Sequence, residues 1–442
     1  MFEMPWKRKP ADVPEAADEP TVPDAAASDA RAADDAPVTR TLYAARQPIL
    51  NRVQQLEGYE LLFRGGPENR FDGADADFAS AATIEQSASA FGLDAIVGDR
   101  RAFLNLTRRA LLAGYHRMLP PERTVIELLE TVEPDREVLD ACTLMRAEGY
   151  RIALDDYTFR PESEPLLDVV DLVKVDLRAA PQALDPRALM PLTKRRLLLL
   201  AEKVETHEEH LAAKQLGYQY FQGYYFFKPQ MISTRDLPPS KLSALKFMAE
   251  MSREDVTIDA LEQVFKHDPG LTVRLLRYLN SAAFGWRHEI GSLRHALAVI
   301  GARPLRQWAL MIGLLSCGND KPHELSLTAL SRARFAERLA PTSGLQEHQG
   351  ELFLGGLLSL VDAMVGRPME EVLKGLAVSE RVRAALLGRE GPLAPPLQLV
   401  SAYQIGDWAA VEASRRECRV DDRALGEAYV DSLAWAEATA TM

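Results

Sequence analysis

The chain has 442 residues, 47% of them hydrophobic, and a formal net charge of −12. That length accommodates two or three domains with sizeable cores, and the acidic balance argues against broad electrostatic binding of nucleic acid. Three cysteines, Cys142, Cys317 and Cys418, lie far apart without a CxxC pair, which opposes a disulfide framework and a zinc site and suits a reducing compartment.

Residues Met1 to about Thr39 are rich in Ala, Asp, Glu and Pro and poor in large apolar groups. Such a stretch cannot offset the entropy of ordering and reads as a disordered acidic tail, residues 1–40. Lys7, Arg8 and Lys9 are followed by no apolar segment, so no signal peptide is expected. The most apolar later run, Leu352–Val361, is too short to span a bilayer and reads as a buried helix. The expectation is a cytoplasmic protein with no membrane insertion.

From residue 41 to about 232, short apolar runs alternate with stretches of helical period at Phe78–Phe91, Asp135–Glu148 and Glu208–Leu216. Gly149, Gly217 and Pro229 punctuate the turns. Alternating β and α segments imply a parallel sheet or a β/α barrel, and about 190 residues require a barrel with trimmed helices or loops.

The apolar runs share one feature. Phe103–Leu104 ends at Asn105, and Thr124–Ile126 runs into Glu127 and then Glu130. Ile152–Leu154 meets Asp155 and Asp156, and Leu172–Val173 meets Lys174 and Asp176. Leu197–Ala201 meets Glu202, Lys203 and Glu205; Tyr218–Phe221 meets Gln222; and Glu57 and Glu60 precede Arg64. One such end alone is a strand meeting solvent. A series of them fits the C-terminal strand ends of a barrel, where catalytic groups gather. Glu60, Asn105, Glu127, Asp155 and Glu202 are oxygen ligands of the kind Mg²⁺ or Mn²⁺ takes, and Asp156 adds another carboxylate beside Asp155. Clustered carboxylates repel one another unless cations neutralise them. Two divalent ions there would activate water and hold an anionic phosphodiester. Lys174 would orient that water or offset developing charge, and Arg64 would hold a phosphate bidentately.

After Asp236-Leu237-Pro238-Pro239 the pattern becomes helical, so residues 233–442 are expected to form an all-α domain. Thr257, Asp268 and Ser292 are placed to cap helices. Further helices are expected at Pro304–Leu315, Ser326–Leu339, Gln349–Met364, Met369–Gly375 and Gln398–Gln404, with a last one ending near Ala436. The pair His267-Asp268 and the isolated His288 and His295 are not read as a metal site. Asn280-Ser281 reads as a cap or turn. Trp286 and Trp308 at helical spacing read as core, and Arg294, Arg303 and Arg306 as helix-surface charge.

These motifs resemble known families. YELLFR at Tyr59–Arg64, NLT at Asn105–Thr107, ELLE at Glu127–Glu130, LDDY at Leu154–Tyr157, VKVD at Val173–Asp176, AEKVET at Ala201–Thr206 and QGYYFFKP at Gln222–Pro229 follow the order of motifs in EAL-domain cyclic di-GMP phosphodiesterases. FKHDPGLTVRLLRYLNSAAFG at Phe265–Gly285 and IGSLRHALAVIGARPLRQWAL at Ile290–Leu310 resemble HDOD domains. The resemblance implies a TIM-like β/α barrel followed by a helical HDOD domain that binds a protein partner. It implies hydrolysis of cyclic di-GMP to the linear dinucleotide pGpG with Mg²⁺ or Mn²⁺. On that resemblance Glu60, Asn105, Glu127, Asp155 and Asp156 would ligate metal, and Lys174, Glu202, Gln222 and Glu130 would serve catalysis. Arg64, Gln47 and Pro48 would bind the nucleotide. The family's glycine-rich loop after the aspartate pair serves metal binding and homodimerisation. Here it is replaced by Tyr157-Thr-Phe-Arg-Pro-Glu-Ser-Glu164, without glycine. This departure opens a second reading, in which the barrel senses cyclic di-GMP or serves as a scaffold without turning the nucleotide over. Lys203, where the family has glycine, is expected to face solvent.

Overall fold

The computed structural model describes residues 42–65, 92–227, 239–251, 301–318 and 321–440, with single positions 280, 290 and 295. The acidic tail, the Phe78–Phe91 helix, the caps at Thr257, Asp268 and Ser292, and His267, His288, Trp286 and Arg294 lie outside the described residues, as do the side chains of Arg303 and Arg306.

Eight strands close into a barrel in chain order. They are β1 (Leu42–Asn51), β2 (Leu56–Gly65), β3 (Arg101–Leu106), β4 (Thr124–Leu128), β5 (Arg151–Leu154), β6 (Leu172–Asp176), β7 (Leu198–Glu202) and β8 (Tyr220–Phe221). From β2 to β8 the neighbours are parallel, whereas β1 is antiparallel to both β2 and β8. The barrel matches the expected β/α architecture, with β1 as its one antiparallel strand among the described residues. A tight turn, with Asn51 Oδ1 accepting from the amides of Val53 and Gln55, joins β1 to β2 without a crossover helix.

The helices around the barrel are short: α1 (Gly92–Val97), α2 (Arg108–Leu112), α3 (Arg136–Ala147), α4 (Pro186–Lys194) and α5 (His207–Gln215). Only a 3₁₀ segment, Pro161–Asp168, lies between β5 and β6. Asp135 starts α3 by accepting from the Val138 amide, and Val138, Cys142 and Met145 face the core at helical spacing. A capping box between Thr206 and Glu209 starts α5.

Strand periodicity fills the barrel in layers. A strand alternates its side chains between two faces, so every second residue points inward. Ile49, Phe103, Val125, Ala153, Leu172 and Leu200 form one buried apolar layer. Gly58 on β2 leaves room for it: a Cβ there would lie 2.9 Å from the Phe103 ring and 2.6 Å from the Arg101 carbonyl. Two residues further along each strand, towards the open end, come Gln47, Glu60, Asn105, Glu127, Asp155, Lys174 and Glu202.

The other described residues are mainly helical: α6 (Pro239–Met251), α7 (Ala302–Cys317), α8 (His323–Leu339), α9 (Gln349–Leu358), α10 (Val361–Val365), α11 (Met369–Lys374), α12 (Glu380–Leu387), α13 (Ala394–Ile405), α14 (Trp408–Cys418) and α15 (Asp422–Ala440). The single helix expected over Gln349–Met364 is two, because the chain breaks at Ser359-Leu360, where the Ser359 hydroxyl bonds the Gly356 carbonyl. Trp308 is core, and the Asn280 side chain pairs with both backbone groups of Ile290, a structural role.

The helical half packs on the antiparallel strand of the barrel. Ala45 of β1 is buried among Phe335, Leu397 and Tyr429. Tyr59 donates to Glu324 at 2.8 Å, and the Arg46 guanidinium lies over the Tyr59 ring, 4.1 Å from its centre, and pairs with Glu437. Among the described residues no helix is long and apolar enough to cross a membrane.

Candidate active site

Lys174 stands at the centre of the layer above the apolar floor, with no exposed surface. Among the described residues its Nζ meets carboxylates from four other strands: Asp155 Oδ1 at 2.8 Å, Glu127 Oε1 at 2.9 Å, Glu202 Oε1 at 3.0 Å and Glu60 Oε2 at 3.3 Å. Asn105 donates to Glu60 at 3.4 Å. The Gln222 amide donates to Glu60 Oε2 at 2.7 Å and to Gln47 Oε1 at 2.8 Å. Gln47 pairs with Glu60 across β1 and β2, so β1, though antiparallel, contributes to the same layer.

Electrostatics follow from one ammonium among several buried carboxylates. Burial alone would push the lysine down, but Glu127, Glu202, Glu60 and Asp155 reverse this and hold it well above the ordinary lysine value. Lys174 is thus a fixed cation, suited to orient and neutralise rather than to accept a proton. Burial pushes Glu127 well up, and Glu202 is raised by burial against the opposing pull of Lys174. Asp156 is raised by burial first and then by Asp155, with Glu130 adding to it. An excess of buried carboxylate attracts further positive charge. Ligand oxygens of Glu60, Glu127 and Asp155 lie within 4.8 Å of one another, and this hard-oxygen donor set fits a divalent cation.

Asp156 leaves the strand with φ +42°, a left-handed turn that aspartate tolerates, and it lines the cavity beside Asp155. Glu130 is exposed in the turn after β4 and does not join the buried cluster. Pro48 lines the cavity, while the side chain of Arg64 on β2 is outside the described residues. Tyr157 of the altered loop is buried, with its ring 4.8 Å from that of Phe159. Lys203, expected in solvent, is 60% exposed along its side chain but pairs with buried Asp176. Its φ of +51° is a left-handed conformation that glycine favours. Asp176 also accepts from the amides of Arg178 and Ala179 and so holds the loop after β6. Sequence reading singled out its charge but no partner.

A cavity of about 470 Å³ lies over the carboxylates. Its barrel wall includes Glu60, Asp155, Asp156, Glu202 and Gln222, and its other wall includes Glu324, Arg332, Gln404 and Tyr429 from the helical half. No sequence signal pointed to that second wall, since α8, α13 and α15 carry no motif.

A closed barrel with a buried carboxylate–lysine layer at its strand ends, roofed by helices, defines a two-domain class. Residues 95–229 match the EAL domain family and residues 237–378 the HDOD domain family. Two curated relatives match along most of their length. The cyclic di-GMP phosphodiesterase CdgJ of Vibrio cholerae is 32% identical over 90% of this chain and 93% of its own. The uncharacterized protein YuxH of Bacillus subtilis is 30% identical over 89% of this chain and 98% of its own. A solved EAL domain protein from Listeria monocytogenes is 20% identical, covering 42% of this chain and 87% of its own, with a TM-score of 0.35. The chain belongs to the family of EAL–HDOD signalling proteins that includes CdgJ.

Proposed function

We propose that the barrel, residues 41–232, is a metal-dependent phosphodiesterase that opens cyclic di-GMP to linear pGpG, coupled to a helical domain, residues 233–442, that engages a protein partner. The observation that carries this reading is the layer of Glu60, Asn105, Glu127, Asp155, Lys174, Glu202 and Gln222, supplied by seven strands or strand ends, of which Glu60, Asp155, Glu202 and Gln222 line one cavity. Glu60, Asn105, Glu127 and Asp155, with Asp156 beside them, would hold Mg²⁺ or Mn²⁺. Such ions, when bound, supply charge stabilisation for phosphodiester oxygens and activation of water. Lys174 keeps its proton and presents a fixed positive charge beneath the reacting phosphate. Gln222 clamps the Glu60 carboxylate, and Gln47 sets the Gln222 amide. Arg64 is assigned to phosphate binding and Glu130 to the loop beyond Asp156.

The test is direct. Purified protein is incubated with cyclic di-GMP and Mg²⁺ or Mn²⁺, with Glu60→Ala as control. Metal-dependent pGpG that disappears in the control is the expected result. Absence of product from folded protein in both metals would overturn the enzyme reading. A second reading, a cyclic di-GMP sensor, is favoured by the loop after Asp156, which is glycine-free and anchored by buried Tyr157. Nucleotide binding without product identifies that state.

A further inference from the structure

The helical wall of the cavity carries Arg332 of α8, which is only 6% exposed. Its Nε donates to Gln404 Oε1 at 2.7 Å and its Nη1 to Ser359 Oγ at 3.3 Å. Both partners are neutral. Among the described residues no carboxylate lies within ion-pair distance of the guanidinium, although Arg46, Arg334 and Lys174 all have carboxylate partners. Burial pulls Arg332 down to about 10, with Tyr224 and Asp362 opposing at longer range. A buried charge without a counter-charge is costly.

The surroundings hold this arginine in place. The Gln404 amide donates onward to Ser331, so the glutamine is fixed at both ends. Gly356 of α9 lets the helices touch: a Cβ there would lie 2.4 Å from the Arg332 carbonyl. Arg332 is therefore a preorganised planar donor facing a cavity whose other end is carboxylate-rich. Its proper partner is a planar or tetrahedral anion.

We infer that Arg332 binds the second phosphate of the cyclic dinucleotide, the one not held at the carboxylate layer, so that the helical domain completes the nucleotide site. This inference rests on the nucleotide reading above. A ligand with two phosphodiesters separated by its ribose rings would place one at the barrel wall of Asp155 and Glu202 and the other against Arg332 of α8. Leu62, Phe227, Leu327 and Leu433 give the same cavity an apolar lining, against which a purine would lie. Arg332 is thus a ligand-binding residue donated from outside the barrel, and Gln404 is its positioning residue.

Affinity of the full chain for cyclic di-GMP is measured by titration calorimetry with chelator present, so that turnover is suppressed, for wild type, Arg332→Gln and Arg332→Lys. Loss of one charge-assisted contact to phosphate weakens binding roughly ten- to hundredfold in Arg332→Gln. Arg332→Lys keeps the charge without the fork and falls between the two. Melting curves report whether each variant is folded. If Arg332→Gln does not fold, Arg332→Lys decides, with a threefold or greater loss expected. Wild-type affinity in a folded variant overturns the role of Arg332 and leaves the nucleotide reading standing. Failure of the wild type to bind both with chelator and with Mg²⁺ or Mn²⁺ present overturns the nucleotide reading, and the inference falls with it.

Discussion

Lys174 and Glu324 show how burial sets the behaviour of single residues. Lys174 neutralises carboxylates that would otherwise repel one another in a water-poor layer. Lys174→Met is expected to abolish turnover and to cost about 3–5 kcal/mol without metal, because it leaves buried charge uncompensated. Added Mn²⁺ should recover more of its melting temperature than it adds to the wild type. An unchanged metal-free melting curve would show that the carboxylates are protonated and need no ammonium. Glu324 behaves differently. It is buried between Tyr59 and Arg46, and burial raises it to about 7 against the pull of Arg46. Its folded value lies above its unfolded one, so its contribution is fully present below about pH 4.5 and is lost as pH rises through about 7. Between pH 5 and 8 this amounts to about 2 kcal/mol. Thermal unfolding across that range should show a steeper fall for wild type than for Glu324→Gln. Equal slopes would place the titration elsewhere.

At the scale of elements, glycines decide how closely strands and loops approach the site. Gly223 follows Gln222 with φ +150°, and a Cβ there would lie 2.3 Å from the Val204 carbonyl. That carbonyl accepts from Tyr225, while the Val204 amide donates to Gln222. Gly223→Ala must therefore move the end of β8 and the amide that clamps Glu60. The expected outcome is a stability loss of about 1–3 kcal/mol and a fall in cyclic di-GMP turnover of at least about tenfold, equivalent to roughly 1.4 kcal/mol of barrier. Intact turnover would show that Gln222 does not position Glu60. The strands were legible in the chain because each inward pair is one apolar residue followed two positions later by a polar one: Phe103 and Asn105, Val125 and Glu127, Ala153 and Asp155, Leu172 and Lys174. The direction of β1 was not, since its alternation reads the same in either sense. The break in the Gln349–Met364 stretch was also hidden, because an apolar run does not disclose one interrupted turn.

At the scale of the molecule, the barrel and the helices share one cavity and one buried polar contact set. Gln47, which touches Gln222, also donates to the Ile405 carbonyl at 2.9 Å, and the Arg46 amide donates to the Tyr429 hydroxyl. A ligand in this cavity stabilises both walls by binding only the assembled form. Calorimetry with cyclic di-GMP is expected to raise one common unfolding transition. Two transitions of which only one moves would show that the halves are thermodynamically independent.

The linear order of residues determined the local chemistry by itself. Strand period places Glu60, Asn105, Glu127, Asp155, Lys174 and Glu202 at corresponding heights once a barrel is assumed, and their motifs recur in a recognisable order. Tertiary structure alone decided what meets them from elsewhere. Arg332, Gln404 and Tyr429 reach the cavity because α8, α13 and α15 pack against β1. Lys203 finds Asp176 because β6 and β7 are neighbours. Such contacts join residues tens to hundreds of positions apart, and no spacing along the chain encodes them. They arise only when apolar faces bury against one another and bring their polar borders into reach.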